Sequence, residues 1–150
     1  MKIIIRAPNW VGDCVLALPF VQLLRERNPG ARIVVLAKRP GGEVFEGNPH
    51  INEVWSYEGL WKTARRLRAE SFDAGYLLPN SISSALLFTL GGVRRRVGYG
   101  TEARGLLLSE SLPWPGERGH RSLRYARLAD PDLAAGAITP LSHPARIAVG

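Results

Sequence analysis

The stretch that decides the fold is residues 1–19, MKIIIRAPNWVGDCVLALP. Its apolar run at residues 3–5 predicts a strand, and residues 9–12 have the composition of a polar turn. A helical pattern then begins around Asp13. In open α/β sheets the ligand crevice lies at the carboxyl ends of the strands. Asp13 is therefore predicted to lie where sheets of this class bind their ligands.

Apolar runs alternate with helical patterns along the rest of the chain. Strands are predicted at residues 2–6, 33–37, 52–55, 73–78 and 95–99, and helices at residues 13–27, 59–70, 81–90 and 120–129, with a further short helix ending near residue 47. Pro19 lies inside the first helical pattern and should kink that helix or shift its start. This alternation predicts an α/β fold, a Rossmann-like, mainly parallel sheet with helices on both faces.

The end of the chain is less regular than its beginning. Residues 105–108 are predicted as a short strand or turn, and residues 113–119 as a connection rich in Pro and Gly. Most of residues 130–150 carries no pattern, although a strand is expected to begin near Arg146. We therefore predict one domain over residues 1–130, followed by a tail or linker over residues 131–150.

The composition points to a soluble chain with an anionic partner. Lys and Arg number 20 against 13 Asp and Glu, and this excess of +7 is mostly Arg, which forms bidentate contacts with carboxylate and phosphate. Cys14 is the only cysteine, which fits a reducing compartment. No apolar run approaches the roughly 20 residues that a membrane-spanning helix needs. We expect a cytoplasmic protein. The sequence does not decide whether it also associates peripherally with a membrane.

Asp13 has two interpretations. As structure, it caps the N-terminus of the first helix, with Gly12 in the turn. As function, it is a general base at the crevice, and Gly12 lets a ligand approach the backbone. The positive end of a helix stabilises a carboxylate and lowers its basicity, so a working base needs partial burial or alignment on the substrate proton.

Residues 78–81, LPNS, follow the fourth predicted strand at the same edge of the sheet. As structure, Asn80 or Ser81 caps the next helix. As function, the amides and hydroxyls there suit sugar hydroxyls, or a phosphate at a helix N-terminus.

Arginines cluster in three further places. Those at residues 94–96 and Arg104 lie around the glycine-rich strand end at residues 98–100. A run of charges is usually a solvated face, but one or two of these arginines are expected to point into the crevice. Arg118, Arg121, Arg124 and Arg127 recur every three residues and are interpreted as a solvated face. The arginines at residues 65, 66 and 68 are expected either to contact anionic lipid headgroups or only to increase solubility.

Several common site motifs are absent from the sequence. No GxGxxG follows the first strand, no GxxxxGK[ST] occurs, and GxSxG is missing. The three histidines and the single cysteine have no metal-ligand spacing. No nucleic-acid-binding signature is present. We expect neither a cofactor nor a metal, and no nucleic-acid partner.

Three segments together resemble a known family. RAPNWVGDCVLALP, LPNSISSALL and RRRVGYGTEARGLLLSESLP are similar to segments of glycosyltransferase family 9, the ADP-heptose:lipopolysaccharide heptosyltransferases, and closest to the heptosyltransferase II branch. The resemblance covers roughly residues 1–130. It implies the N-terminal, acceptor-binding domain of a GT-B enzyme, whose donor-binding C-terminal domain is not part of this sequence. The 150-residue chain alone is then expected to be inactive.

The resemblance also implies roles for matched positions. Asp13 would be the general base of an inverting transfer of heptose from ADP-heptose to the lipopolysaccharide inner core. Arg104 would hold anionic groups of that acceptor, such as a Kdo carboxylate or a phosphate. The remaining positions expected on the acceptor side are Asn9, Trp10, Gly12, Asn80 and Ser81.

The partners that the resemblance implies are an anionic glycolipid acceptor and a nucleotide-sugar donor, at the inner face of the cytoplasmic membrane. Two other functions stay open at this point. One is a non-catalytic, basic Rossmann-like module that binds nucleic acid or nucleotides. The other is a family 9 transferase with a different sugar donor.

Overall fold

The computed structural model describes residues 1–100, 104–113 and 121–130. Within them the chain forms a six-stranded sheet with helices packed against it. The strands are β1 (Lys2–Arg6), β2 (Arg32–Ala37), β3 (Glu53–Ser56), β4 (Ala74–Leu77), β5 (Arg95–Tyr99) and β6 (Glu110–Leu112). The α-helices are α1 (Val11–Leu16), α2 (Leu18–Arg27), α3 (Leu60–Glu70), α4 (Ile82–Leu90) and α5 (Arg121–Ala129), and 3₁₀ helices occupy Gly41–Phe45 and Arg104–Leu107.

The sheet has the strand order β3-β2-β1-β4-β5-β6, and every pair of neighbouring strands is parallel. The central strand β1 lies between β2 and β4, where Ile4 is opposite both Val34 and Gly75. The order reverses at this strand, as in the doubly wound Rossmann fold, and such folds bind ligands at the reversal. The predicted fold class is confirmed.

The two faces of the sheet carry separate hydrophobic cores because successive side chains of a strand point to opposite faces. Ile3 and Ile5 belong to the core that includes Phe20 of α2 and Leu128 of α5. Ile4 belongs to the other core, with residues of α3 and α4. The isoleucine run of β1 is buried on both sides, which explains why it shows no polar alternation.

The first predicted helix is two helices. The chain breaks at Ala17, and Pro19 occupies the first turn of α2, where its missing N–H costs no helical hydrogen bond. The expectation that Pro19 shifts the start of a helix is confirmed. The predicted cap is wrong, because α1 begins at Val11 with Trp10 in the N-cap position, and Asp13 is the third helical residue.

The region after β5 differs most from the prediction. Residues 105–108 belong mainly to a 3₁₀ helix, not to a strand. The short strand β6 was not predicted, since three residues that are at least partly exposed carry no alternation of apolar and polar positions. The predicted tail over residues 131–150, with its strand near Arg146, lies outside the described residues. None of the helices in the described ranges has the length and apolar character needed to cross a bilayer.

Candidate functional site

An open cleft of about 610 Å³ lies at the carboxyl edge of the sheet, where the strand order reverses. One wall is the segment that follows β1 and leads into α1. The opposite wall is the segment that follows β4 and leads into α4. The third wall comes from α5 and the end of β5. The lining residues are Pro8, Asn9, Trp10, Gly12, Asp13, Leu78, Pro79, Asn80, Ser81, Tyr99, Arg121, Arg124 and Tyr125.

The cleft brings together six of the seven residues that the sequence predicts for the site. These are Asn9, Trp10, Gly12, Asp13, Asn80 and Ser81. Arg104 starts the 3₁₀ helix that follows β5, and its side chain lies outside the described part of the structure. Its predicted contact with an anionic group therefore stays a prediction.

The Asp13 carboxylate lies in the first turn of α1, and its side chain is 16% exposed. Its Oδ1 accepts a hydrogen bond of 2.5 Å from Nη1 of Arg121 in α5. Within residues 1–100, 104–113 and 121–130, no hydrogen bond is formed to its Oδ2. The carboxylate is thus held on one oxygen, and its side chain lines the cleft.

The segment after β4 ends in a serine cap. Oγ of Ser81 accepts a hydrogen bond of 3.3 Å from the backbone N–H of Ser84, which satisfies one free donor of the first turn of α4. The hydroxyl of Ser84 donates in turn to the Ser81 carbonyl, at 2.9 Å. Of the two caps that the sequence left open, Asn80 and Ser81, the structure has the serine.

Helix α5 supplies cleft residues that the sequence analysis missed. Arg124 is buried, so the interpretation of this arginine stripe as a solvated face is wrong for that residue. Arg121 is exposed, as that interpretation expects, but it also pairs with Asp13 and lines the cleft. Tyr125 lines the cleft beside them. The spacing of three residues was the available signal, because on a helix it places successive arginines along one side.

Two hydrogen bonds hold α5 in this position. The hydroxyl of Tyr99, at the end of β5, donates to the backbone carbonyl of Arg124 at 2.5 Å. The hydroxyl of Ser122 donates to the carbonyl of Leu16, at the end of α1, at 2.9 Å. The helix is therefore tied both to the sheet and to the element that carries Asp13.

Arg94, Arg95 and Arg96 do not line the cleft, so the expectation that one or two arginines of this region point into it is wrong for these three, and for Arg104 it stays a prediction. Arg95 pairs with Glu110 of β6, with nitrogen–oxygen distances of 2.6 and 2.8 Å. Arg96 donates to the carbonyls of Leu107 and Val93. They lie at the amino end of a parallel strand, and the cleft lies at its carboxyl end.

The two tyrosines of the cleft are held in their neutral forms. Burial raises the pKa of Tyr125 to about 12, and the charge of Asp13 adds to this shift. Burial also raises the pKa of Tyr99. At neutral pH both tyrosines therefore keep their hydroxyl protons. Among the described residues that line the cleft, Asp13 is the one that carries a carboxylate, the group suited to accept a proton.

Comparisons with known proteins match both the sequence and the fold. The model of glycosyltransferase family 9 (heptosyltransferase) matches residues 60–131. Lipopolysaccharide heptosyltransferase 2 of Escherichia coli is 33% identical over 119 residues, which cover 73% of this chain and 34% of that protein. The solved structure of E. coli ADP-heptose lps heptosyltransferase II matches with a TM-score of 0.81 and 30% identity, over 93% of this chain and 46% of that one.

A second solved structure, the glycosyl transferase family 9 protein of Veillonella parvula, shows the shared fold. It matches with a TM-score of 0.78 at 18% identity, over 92% of this chain and 42% of that one.

The fold and these matches define the class first: the chain has the Rossmann-like architecture of one domain of a GT-B glycosyltransferase. Within that class, they confirm the resemblance to glycosyltransferase family 9, and to heptosyltransferase II in particular. The chain spans about a third of the length of the curated relative and less than half of the solved structure.

Proposed function

We propose that this chain forms the acceptor-binding domain of an inverting heptosyltransferase, with Asp13 as its general base. The donor is ADP-heptose and the acceptor is the inner core of lipopolysaccharide. The observation that carries the proposal is a largely buried carboxylate, held by Arg121 on one oxygen, that lines the cleft at the strand-order reversal. The similarity to heptosyltransferase II supports the choice of reaction.

In the proposed reaction, Oδ2 of Asp13 takes the proton of an acceptor sugar hydroxyl. The hydroxyl oxygen forms a bond to the anomeric carbon of the heptose as the bond from that carbon to the ADP oxygen breaks. ADP leaves with the electron pair of that bond, and the anomeric configuration inverts. The donor would be bound by a second domain, carried by a longer protein of which residues 1–130 form the first domain.

Arg121 has a positioning role in this proposal. Its hydrogen bond to Oδ1 fixes the carboxylate and balances its charge when no substrate is bound. A general base must lie within hydrogen-bond reach, about 2.6–3.2 Å, of the oxygen whose proton it removes, so the orientation of the carboxylate affects the rate. Asn9, Trp10, Gly12, Asn80 and Ser81 line the space in which the acceptor sugar would lie.

The charge of the chain fits an anionic acceptor. A net charge of +7 attracts a lipid-linked, negatively charged saccharide and the membrane surface that carries it. The contributions of the α3 arginines are unequal, because Arg66 stacks on the Trp55 ring at 3.7 Å and Arg68 donates to the Leu90 carbonyl. Arg65 is exposed and is the best candidate on α3 for a headgroup contact.

The proposal is tested by heptose transfer in a full-length protein that carries this chain. Asp13→Ala and Asp13→Asn should each lower kcat by roughly 10²–10⁴-fold, the usual contribution of a general base. Glu46→Gln, which removes an exposed carboxylate away from the cleft, should leave kcat unchanged. Wild-type turnover by folded Asp13→Ala protein would exclude Asp13 from the mechanism. Other sugar nucleotides offered as donors then test the choice of heptose.

A further inference from the structure

A second recess adjoins the cleft and contains an arginine whose burial the proposed reaction does not explain. Arg6 ends β1 and is 4% exposed. Its Nη1 donates to the Leu36 carbonyl at 3.3 Å, and it takes part in none of the ion pairs formed within the described residues. Burying a charge without an opposite charge is unfavourable, so such groups usually have a partner.

A second cation lies at the same place. The ring of Tyr57 has the guanidinium carbon of Arg6 at 5.0 Å and the ammonium nitrogen of Lys38 at 5.3 Å from its centre. Arg6 is the last residue of β1, and Lys38 directly follows β2. Because these neighbouring strands are parallel, both cations lie at the same edge of the sheet. The attraction between an aromatic ring and a cation is weak, so it does not replace a counter-charge.

The recess has the size and lining that suit a small anion. It holds about 40 Å³, where roughly 10–15 Å³ admits one water, so it takes the oxygens of one carboxylate or one phosphate but not a sugar ring. Ser81 and Ser83, in the cap and first turn of α4, add hydroxyl groups. None of the described residues that line it is acidic.

The recess is continuous with the cleft that contains Asp13. Asn9, Pro79 and Ser81 line both spaces. A molecule that presents a hydroxyl to Asp13 can therefore place an attached acidic group beside Arg6 without leaving the surface of the sheet edge.

We propose that Arg6 and Lys38 form an oxyanion site that binds one carboxylate or phosphate group of the acceptor. The position of this group within the acceptor rests on the proposed function, whereas the site itself does not. Burial lowers the pKa of the Arg6 guanidinium, but arginine stays charged in proteins at neutral pH, so the site keeps its positive charge.

The test is a titration of the 150-residue chain with inorganic phosphate and, separately, with acetate, at constant ionic strength against chloride. Backbone amide shifts of Tyr57 and Ser83 report the recess, and those of Arg121 and Arg124 report the main cleft. The variants are Arg6→Met and Lys38→Gln, and Arg39→Gln is the matched control, since it removes the same charge from the exposed next residue.

We expect saturable shifts at Tyr57 and Ser83 in the wild type and in Arg39→Gln. Binding should be at least tenfold weaker in Arg6→Met and in Lys38→Gln. The anion that binds more tightly identifies the group as phosphate or carboxylate. Because Lys38 is exposed, Lys38→Gln should fold even if Arg6→Met does not.

Equal binding in wild type and Lys38→Gln, or shifts confined to Arg121 and Arg124, would overturn the site. The outcome is independent of catalysis. Anion binding in the recess together with a fully active Asp13→Ala protein would keep the site and reject the proposed role of Asp13. Loss of activity in Asp13→Ala without anion binding in the recess would keep the role of Asp13 and reject the site.

Discussion

Arg121 and Asp13, separated by 108 positions in the sequence, form a hydrogen-bonded ion pair with a nitrogen–oxygen distance of 2.5 Å. The pair joins α5 to the first turn of α1. It closes one side of the cleft, and it brings Arg124 and Tyr125 into the lining. The position of the Asp13 carboxylate therefore depends on residues near both ends of the described chain.

Replacing Arg121 by Gln should affect acceptor binding more than folding. The Arg121 side chain is 53% exposed, and ion pairs of that kind contribute up to about 1 kcal/mol to the free energy of unfolding. We expect a stability change below that value in urea denaturation, and both a lower kcat and a higher KM for the acceptor in the full-length enzyme. The kcat falls because the Asp13 carboxylate loses the contact that orients it, and the KM rises because a cation that lines the cleft is lost.

Arg27→Gln is the control for that experiment. Arg27 is also 53% exposed and pairs with Asp130, but it does not line the cleft. Its loss should leave the KM unchanged. If Arg121→Gln lowered the free energy of unfolding by several kcal/mol, the pair would be structural, and its proposed role in positioning Asp13 would be wrong.

The sequence predicts the local features of the chain better than the contacts between elements that are distant in sequence. The strands β1, β2 and β5 and the helix α3 follow from apolar runs and helical spacing, which are local properties. Six predicted residues line the cleft. Asn9, Trp10, Asn80 and Ser81 lie in the segments that follow β1 and β4, and Gly12 and Asp13 lie in the first turn of α1. These positions follow from strand polarity, because the carboxyl ends of parallel strands meet at one edge of the sheet.

The residues that α5 contributes to the cleft could not be predicted from local sequence patterns. Its arginines look like a solvated stripe until Tyr99 and Ser122 fix which side of the helix faces the cleft. Those two hydrogen bonds join elements that are distant in sequence, and nothing in the local pattern specifies them. The pairing of Arg95 with Glu110 is of the same kind, because it depends on the unpredicted strand β6.

Removing the hydroxyl of Tyr99 should destabilise the chain. Its bond to the Arg124 carbonyl is buried, and such bonds contribute about 0.5–1.5 kcal/mol net. Tyr99→Phe should therefore lower the free energy of unfolding by about 1 kcal/mol in urea denaturation. Tyr57→Phe is the control, because no hydrogen bond of its hydroxyl is formed within the described residues. Equal losses in both variants would show that the tie between β5 and α5 is unimportant.

Two glycines should respond to alanine in opposite directions. A Cβ at Gly75 in β4 would lie 2.7 Å from Phe88 and 2.9 Å from Val93, so Gly75→Ala should cost about 1–3 kcal/mol through overpacking. A Cβ at Gly12 in α1 would have no neighbour within 4 Å, so Gly12→Ala should stabilise the chain by about 0.4–1 kcal/mol. Urea denaturation measures both changes. A destabilised Gly12→Ala protein would contradict this account of α1.

Gly12→Ala also tests whether the acceptor approaches the backbone of α1. If it does, the full-length variant should show a raised acceptor KM despite its greater stability. An unchanged KM would mean that the space in front of Gly12 is not used by the substrate.

The buried thiol of Cys14 should make stability fall at alkaline pH. Its Sγ donates to the Pro8 carbonyl at 3.3 Å, next to the cleft, and the residue has no exposed surface. Burial raises the pKa of the thiol to about 11, and the neighbouring charge of Asp13 contributes to the shift. In the unfolded chain a cysteine ionises at about 8.5.

Between those two values the folded chain keeps a proton that the unfolded chain has released, so the free energy of unfolding decreases as pH rises from about 8.5 to about 11. Other groups titrate in the same range, and Cys14→Ala separates them from the thiol. We expect the wild type to lose more stability than Cys14→Ala across this interval, as measured by urea denaturation at a series of pH values. Parallel curves for the two proteins would mean that the thiol ionises equally readily in both states, and that the wall of the cleft formed by Pro8 and α1 admits water.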